Sequence, residues 1–243
     1  MNDTIRTMRA HQSIRKYTEA PVTQAHIDEA MAAGQAAATS SAVQSYCVLH
    51  IHDNDKRQII ADHCGPQPKV RDCPAFFIIC GDLRKLMLIH ERAGISFDQR
   101  FETFLLASID ATLFAQNFVL AFESLGYGTC YIGGLRNHLP VVSDLLNLPK
   151  GVMPLYGLCV GVPDESPSHR PRLESKSMLF VDQYPTDKET LAGVDRYDEV
   201  YEQYLKDRGA KPNNWSKSML TKYDGISRPE LGAYYKSQGA DLR

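Results

Sequence analysis

Four short clusters hold the side chains best suited to chemistry. His11-Gln-Ser-Ile-Arg-Lys-Tyr17 packs a ring nitrogen, a hydroxyl and two cations into seven residues. Arginine brings a forked pair of donors and serine a short neutral one, so this loop can hold a phosphate; it also reads as a polar surface turn. Ala38-Thr-Ser-Ser-Ala-Val-Gln44 sets small hydroxyls where backbone can approach a polar ligand, or where a helix ends in a turn. Cys130-Tyr-Ile-Gly-Gly-Leu-Arg136 runs a strand into two glycines, whose N–H groups can face a ligand with no Cβ in the way. In Ser168-His-Arg-Pro-Arg-Leu173, Arg170 and Arg172 point the same way on an extended segment, a pair that chelates phosphate or sits in a solvated loop.

Other chemistries lack their signatures. The chain contains no GxxxxGK[ST], HExxH, GxSxG or GxGxxG, which removes the common ATP, zinc-protease, serine-hydrolase and Rossmann readings. His50 and His52 share a strand face, but no acidic partner stands at metal-ligand spacing, so no metal is expected. Cys130 lies in an apolar strand, where burial raises a thiol pKa and favours an inert cysteine.

The elements that must position these clusters alternate in period. Thr23 is a plausible N-cap for a helix to about Ala38, with Ile27, Ala30, Met31 and Gly34 on one face. Tyr46 to His52 reads as a strand and Asp55 to Cys64 as a helix ended by Gly65-Pro66. Ala75-Phe-Phe-Ile-Ile-Cys80 is a continuous apolar run, as expected of a strand covered on both faces. Asp98 to about Leu125 is the longest helical pattern, stopped by Gly126 and Gly128. It is apolar nearly all round, so it is central in a core or buried between subunits. Thr129 to Ile132 and Met153 to Val162 are further strands, with a helix at Val141 to Leu146.

Composition frames these elements. With 243 residues, 43% apolar residues and a net charge of −2, the chain can bury a sizeable core and does not suit bulk electrostatic binding of nucleic acid. The apolar stretch Phe104 to Phe122 is broken by Asp110, Gln116 and Asn117, so no membrane span is expected. The opening residues lack the apolar region of a secretory signal, and six scattered cysteines then read as reduced thiols in a cytoplasmic protein. Charge rises sharply late in the chain: residues 170–243 hold 25 charged residues in 74, against 31 in the first 169. That stretch also holds seven of twelve tyrosines and the single tryptophan. We read residues 1–169 as the core and 170–243 as an extension wrapping it or a partner chain, in one domain overall.

Together the clusters are far more specific than any one of them. His11-x-Ser-Ile-Arg15, Thr39-Ser-Ser41 with Gln44, Gln67, Tyr131-Ile-Gly-Gly-Leu-Arg-Asn137, Pro154-Leu-Tyr-Gly-Leu-Cys-Val-Gly161 and Arg170-Pro-Arg172 stand in one family's order and approximate spacing. The chain resembles the FMN-dependent, oxygen-insensitive nitroreductase and flavin reductase family, in its NADPH-preferring branch. The resemblance implies an α+β fold, a central and largely antiparallel sheet flanked by helices, in an intertwined homodimer with FMN between the subunits.

The resemblance also implies roles. His11, Ser13 and Arg15 would bind the FMN phosphate, completed by Arg170 and Arg172. Thr39, Ser40, Ser41 and Gln44 would line the flavin, some from the second subunit, with Gln67 and Lys69 at the isoalloxazine. Gly133 and Gly134 would lay backbone donors near its N5 and O4 edge, with Tyr131 and Ile132 also in contact with the cofactor. Arg208, with Arg136 and Lys211, would receive NADPH; NADH is the alternative reductant. The implied activity is two-electron reduction of nitroaromatics, quinones or flavins, the cofactor carrying the hydride so that no side-chain nucleophile is needed. The alternatives are a flavin reductase supplying free reduced FMN and a non-catalytic flavin-binding protein.

Overall fold

The apolar run at Ala75 is the centre of the sheet. In a computed structural model that describes residues 2–241, it forms β2 (Ala75–Asp82), buried at every position. Around it lie β1 (Tyr46–His50), β3 (Gly128–Ile132) and β4 (Val152–Gly161), in the order β1-β2-β4-β3 with every pair antiparallel. The register slips between Ile79 and Cys80, so that Ile79 faces Tyr156 while Cys80 faces Pro154. Proline has no N–H for the ladder, and a bulge beside it accommodates that loss.

Among the described residues, seven α-helices precede the late, charge-rich stretch: α1 (Asp3–Ala10), α2 (Gln24–Gln35), α3 (Asn54–His63), α4 (Pro68–Asp72), α5 (Arg84–Ala93), α6 (Phe101–Ser124) and α7 (Leu139–Leu146). Alternation along β2 sends Phe77 and Ile79 into one apolar cluster, with Phe114, Phe118 and Phe122 of α6. Phe76, Ile78 and Cys80 enter the other, with Ile60 of α3, Val70 of α4 and Val142 of α7. Thr23 caps α2 as its sequence predicts, its hydroxyl accepting from the His26 N–H.

Several boundaries differ from the sequence reading. Gly126, at φ +88°, follows α6, but Gly128 is the first residue of β3 and caps nothing. Asp98 stays outside α6, its carboxylate held by Arg100. β1 ends at His50, so His52 lies beyond the strand, although the two rings still approach with centroids 3.8 Å apart. α6 is long and apolar enough to cross a membrane, and its Phe114, Phe118 and Phe122 face is buried against the sheet. Its other face is exposed: Phe101, Leu105, Ile109 and Leu113, each four residues apart, remain 38–47% exposed.

The late, charge-rich stretch divides. Residues 168–227 form a separate unit, while residues 228–241 belong with residues 2–167. In the separate unit, α8 (Asp187–Asp207) starts with a reciprocal capping box between Thr186 and Glu189, and α9 (Trp215–Lys222) sets Trp215 edge-on to Tyr197. α10 (Leu231–Ser237) returns to the first unit because it carries two aromatics that bury there. The Tyr235 hydroxyl donates to the Pro154 carbonyl at 2.8 Å, and Tyr234 shares a hydrogen bond with Ser143.

Candidate flavin site

The predicted residues gather at both edges of the sheet. Along the free edge of β3 runs the His11–Tyr17 loop: Ser13 pairs with Thr129, and the Ile14 N–H donates to the Thr129 carbonyl at 2.9 Å. Glu165 accepts the Arg15 and Lys16 N–H groups, which leaves the Arg15 guanidinium exposed with one bond to the Ser13 carbonyl at 3.0 Å. At the end of β3, Ile132 leads into Gly133 and Gly134. A Cβ on Gly134 would lie 2.2 Å from the Cys64 carbonyl oxygen and 2.4 Å from Gln67 Nε2, so only glycine lets this turn pack on the Gln67 segment. Arg136 is held by the Leu155 carbonyl at 2.6 Å. Lys69 and Arg15 flank one thiol: burial pushes Cys130 up, while both cations pull it down. His11, Ser13, Arg15, Gln67, Lys69, Tyr131, Ile132, Gly133, Gly134 and Arg136 therefore surround a single strand.

Thr39, Ser40, Ser41 and Gln44 are elsewhere. Their loop lies beside β1, at the opposite edge, with the Tyr46 N–H bonded back to the Gln44 carbonyl. Ser41, Ala42 and Gln44 all hold positive φ, at 47°, 56° and 52°. Three non-glycine residues in that region store strain, which persists only where the surroundings impose it. The restraint is Asp110, 1% exposed on α6, which accepts the Ser40 and Ser45 N–H groups at 3.1 Å each.

Sequence reasoning passed over the carboxylates that hold these loops. Glu123 accepts the Thr129 hydroxyl at 2.9 Å and meets His11 Nδ1 at 2.6 Å. Asp110 and Glu123 stand on the same helix thirteen residues apart, about 20 Å along its axis, and each ties down one edge's loop. The available signal was physical: a carboxylate inside an apolar helix must find donors to be tolerated. Arg228 is a further residue the sequence did not flag; it donates to the Asn137 side chain at 2.9 Å and to the Gly133 carbonyl at 3.4 Å.

The other predicted cations lie in the unit of residues 168–227. Arg172 donates to the Arg170 carbonyl at 3.1 Å. Arg208 donates to the Tyr204 hydroxyl at 2.7 Å, with its guanidinium 5.3 Å from that ring's centre. Burial would push the Tyr204 phenol up, but bonds from Arg170, Ser168 and Arg208 outweigh it and hold the phenol below the usual tyrosine range. Arg170 and Arg208 both lower that phenol, while Lys211 is exposed in the loop after α8.

Comparison with known proteins gives the same picture at full length. The nitroreductase family profile matches residues 8–162, and that of the nitroreductase family C-terminal domain matches residues 170–243. The chain is 35% identical to an NADPH-flavin oxidoreductase of Vibrio harveyi, covering all of both chains. It is also 35% identical to an oxygen-insensitive NADPH nitroreductase of Salmonella typhimurium, over 98% of each. Among solved structures, NfrA1 of B. megaterium superposes with a TM-score of 0.96 at 35% identity, covering 99% of this chain and 100% of that one. The NADPH:FMN oxidoreductase of Vibrio harveyi in complex with NAD+ gives 0.90 at 34% identity, with full coverage of both chains. The sheet, its helices and these full-length matches agree: the chain belongs to the nitroreductase family.

Proposed function

We propose that this protein is an FMN-dependent oxidoreductase that uses NADPH to reduce nitroaromatics, quinones or flavins by two-electron transfer. The observation that carries this reading is the convergence of the His11–Arg15 loop, the Gln67–Lys69 segment and the Gly133–Gly134 turn on β3, in a chain matched end to end by NADPH-flavin oxidoreductases. The residues fit FMN. Arg15 presents an exposed guanidinium beside Ser13, a donor set for a phosphate. Beside Gly133 the backbone is open, since a Cβ there would meet only the Arg136 guanidinium, at 3.5 Å. The redox chemistry itself, hydride acceptance and two-electron delivery, is what FMN supplies when bound.

The chain's own groups bind and orient. Arg15, Ser13 and His11 hold the phosphate end, with Glu123 fixing the His11 ring; Arg170 and Arg172 are assigned to the same phosphate. Lys69, assigned to the isoalloxazine end, would stabilise negative charge there when the bound flavin is reduced. Arg208, Arg136 and Lys211 are assigned to the reductant.

The functional unit is a homodimer. The exposed apolar stripe Phe101, Leu105, Ile109 and Leu113 on α6 supports this, as does the placement of the Thr39–Gln44 loop across the sheet from β3. In one chain these two groups sit at opposite edges; a second subunit brings the missing half to each site.

Anaerobic addition of NADPH to the purified yellow protein tests the reading. The flavin absorbance bleaches and returns when a nitroaromatic or quinone is added; flavin that keeps its colour with both NADPH and NADH refutes it. A flavin reductase role, favoured by the FMN reductase of Bacillus subtilis at 35% identity, is separated by comparing turnover with free FMN and with a quinone.

A further inference from the structure

Backbone bonds already tie the His11–Tyr17 loop to the chain just beyond β4. The Thr18 N–H donates to the Val162 carbonyl and the Asp164 N–H to the Lys16 carbonyl, each at 3.0 Å, and Tyr17 pairs with Pro163. The Tyr17 hydroxyl closes the loop on itself, donating to the Ile14 carbonyl at 2.5 Å. Glu165 adds two more bonds, accepting the Arg15 and Lys16 N–H groups at 2.5 and 3.2 Å, both on Oε1. A neutral oxygen could accept those two hydrogens equally well. What glutamate adds is charge.

That charge has no counter-ion. Among the described residues no cation lies within ion-pair distance of Glu165. Glu123, the other carboxylate on this loop, is taken up by His11 Nδ1 and the Thr129 hydroxyl. Glu165 is half-buried, while Arg15 and Lys16 are exposed. An unneutralised anion therefore stands against the backbone of Arg15, whose guanidinium is assigned to the phosphate. Its field reaches β3 as well. Burial raises the Cys130 thiol most, and after it Arg15 lowers that thiol while Glu165 raises it. The two charges act on one strand with opposite sign.

We propose that Glu165 sets how firmly FMN is retained: its charge opposes the phosphate that the loop's cations attract, so that bound FMN exchanges with FMN in solution. The proposal rests on the reading of the His11–Arg15 loop as the phosphate site. Like charges near a protein surface disfavour one another, and a single such pair changes affinity by about fivefold. Release of FMN is the step that a supplier of reduced flavin must make, and Glu165 favours it.

The test compares the full-length parent and Glu165→Gln, each freed of flavin, in binding FMN and riboflavin, which has the same ring system and no phosphate. Glutamine keeps the acceptor oxygen and loses the charge. The FMN Kd should fall about fivefold while the riboflavin Kd stays within twofold of the parent's. FMN should also leave the diluted holoenzyme more slowly, as its returning fluorescence reports. The gain should shrink in 1 M salt, where the Debye length is about 3 Å.

An FMN Kd equal to the parent's overturns the proposal. So does a parallel loss of affinity for both flavins, because Glu165 then only holds the loop in shape. Glu165→Asp keeps the charge and should bind FMN no more tightly than the parent; tightening equal to that of Glu165→Gln overturns it. Should Glu165→Gln not fold, Glu165→Ser is read in its place with the same expectations. A parent that binds riboflavin as tightly as FMN refutes the phosphate assignment of the loop itself. An FMN-selective parent with an unaltered Glu165→Gln variant refutes the role of Glu165 alone.

Discussion

Replacing Asp110 with Asn tests how the loop beside β1 is held. The carboxylate accepts two backbone N–H groups, from Ser40 and Ser45, each at 3.1 Å. Hydrogen bonds to a charged acceptor contribute about 1.5–3 kcal/mol each, or roughly 3–6 kcal/mol for the pair. Against this stands the backbone strain at Ser41, Ala42 and Gln44, about 1 kcal/mol or more for each. The two terms nearly balance, with a small margin for the strained form. Asparagine keeps one acceptor oxygen and turns its NH2 group toward the second N–H, so one bond is lost and two donors face each other. Ser45 is fully buried, and water cannot take over that bond. The loss is about 2 kcal/mol, enough to make the strained loop the minority conformation. If that loop lines the flavin, the apparent FMN Kd rises by about 10-fold, following the competent fraction. Titration of the apoprotein with FMN, followed by fluorescence quenching, measures the change, and urea unfolding of the same variant reports the stability loss. A variant with unchanged stability and an FMN Kd within twofold of the parent would refute the reasoning.

Three further outcomes are expected. Arg15→Ala should leave the fold intact, since its guanidinium is exposed and bonded only to the Ser13 carbonyl, yet purify with less FMN; full occupancy at equal affinity removes its role. Ile109→Glu with Leu113→Glu on the exposed face of α6 should convert a dimer to monomers in sedimentation equilibrium, and a parent that already sediments as a monomer refutes the dimer. Burial, then His52 and Arg57, lower His50 to about 4, below its ordinary value of 6.5. The unfolded chain therefore takes up the proton first, so this stabilisation is complete above pH 6.5 and is lost as pH falls through about 4. His50→Gln should flatten urea stability between those values, and an identical slope in parent and variant rules His50 out as its source.

How much was legible in the sequence follows from the range of each interaction. The strand at Ala75, the Thr23 cap and the long apolar helix were readable because each depends on neighbours within a turn or two. The chemical character of the clusters was readable too, since a phosphate loop needs cations and hydroxyls close together. The grouping of Ser13, Gly134 and Gln67 around β3 was not, because it depends on strand pairing and on a turn packed against another. The Asp110 and Glu123 roles were hidden for the same reason: their partners lie 70 and 112 residues away.

By itself, then, the sequence determined the helix and strand periods, the mixed α and β character and the kinds of ligand its clusters suit, all written in local spacing. Tertiary structure alone decided which clusters share an edge of the sheet and which carboxylates restrain them. It also decided that residues 228–241 rejoin the first unit through Tyr234 and Tyr235, and that Arg57 meets a thiol. The physical reason is that a buried polar group must find its partner wherever the chain's packing places one, and packing is settled by the whole core at once.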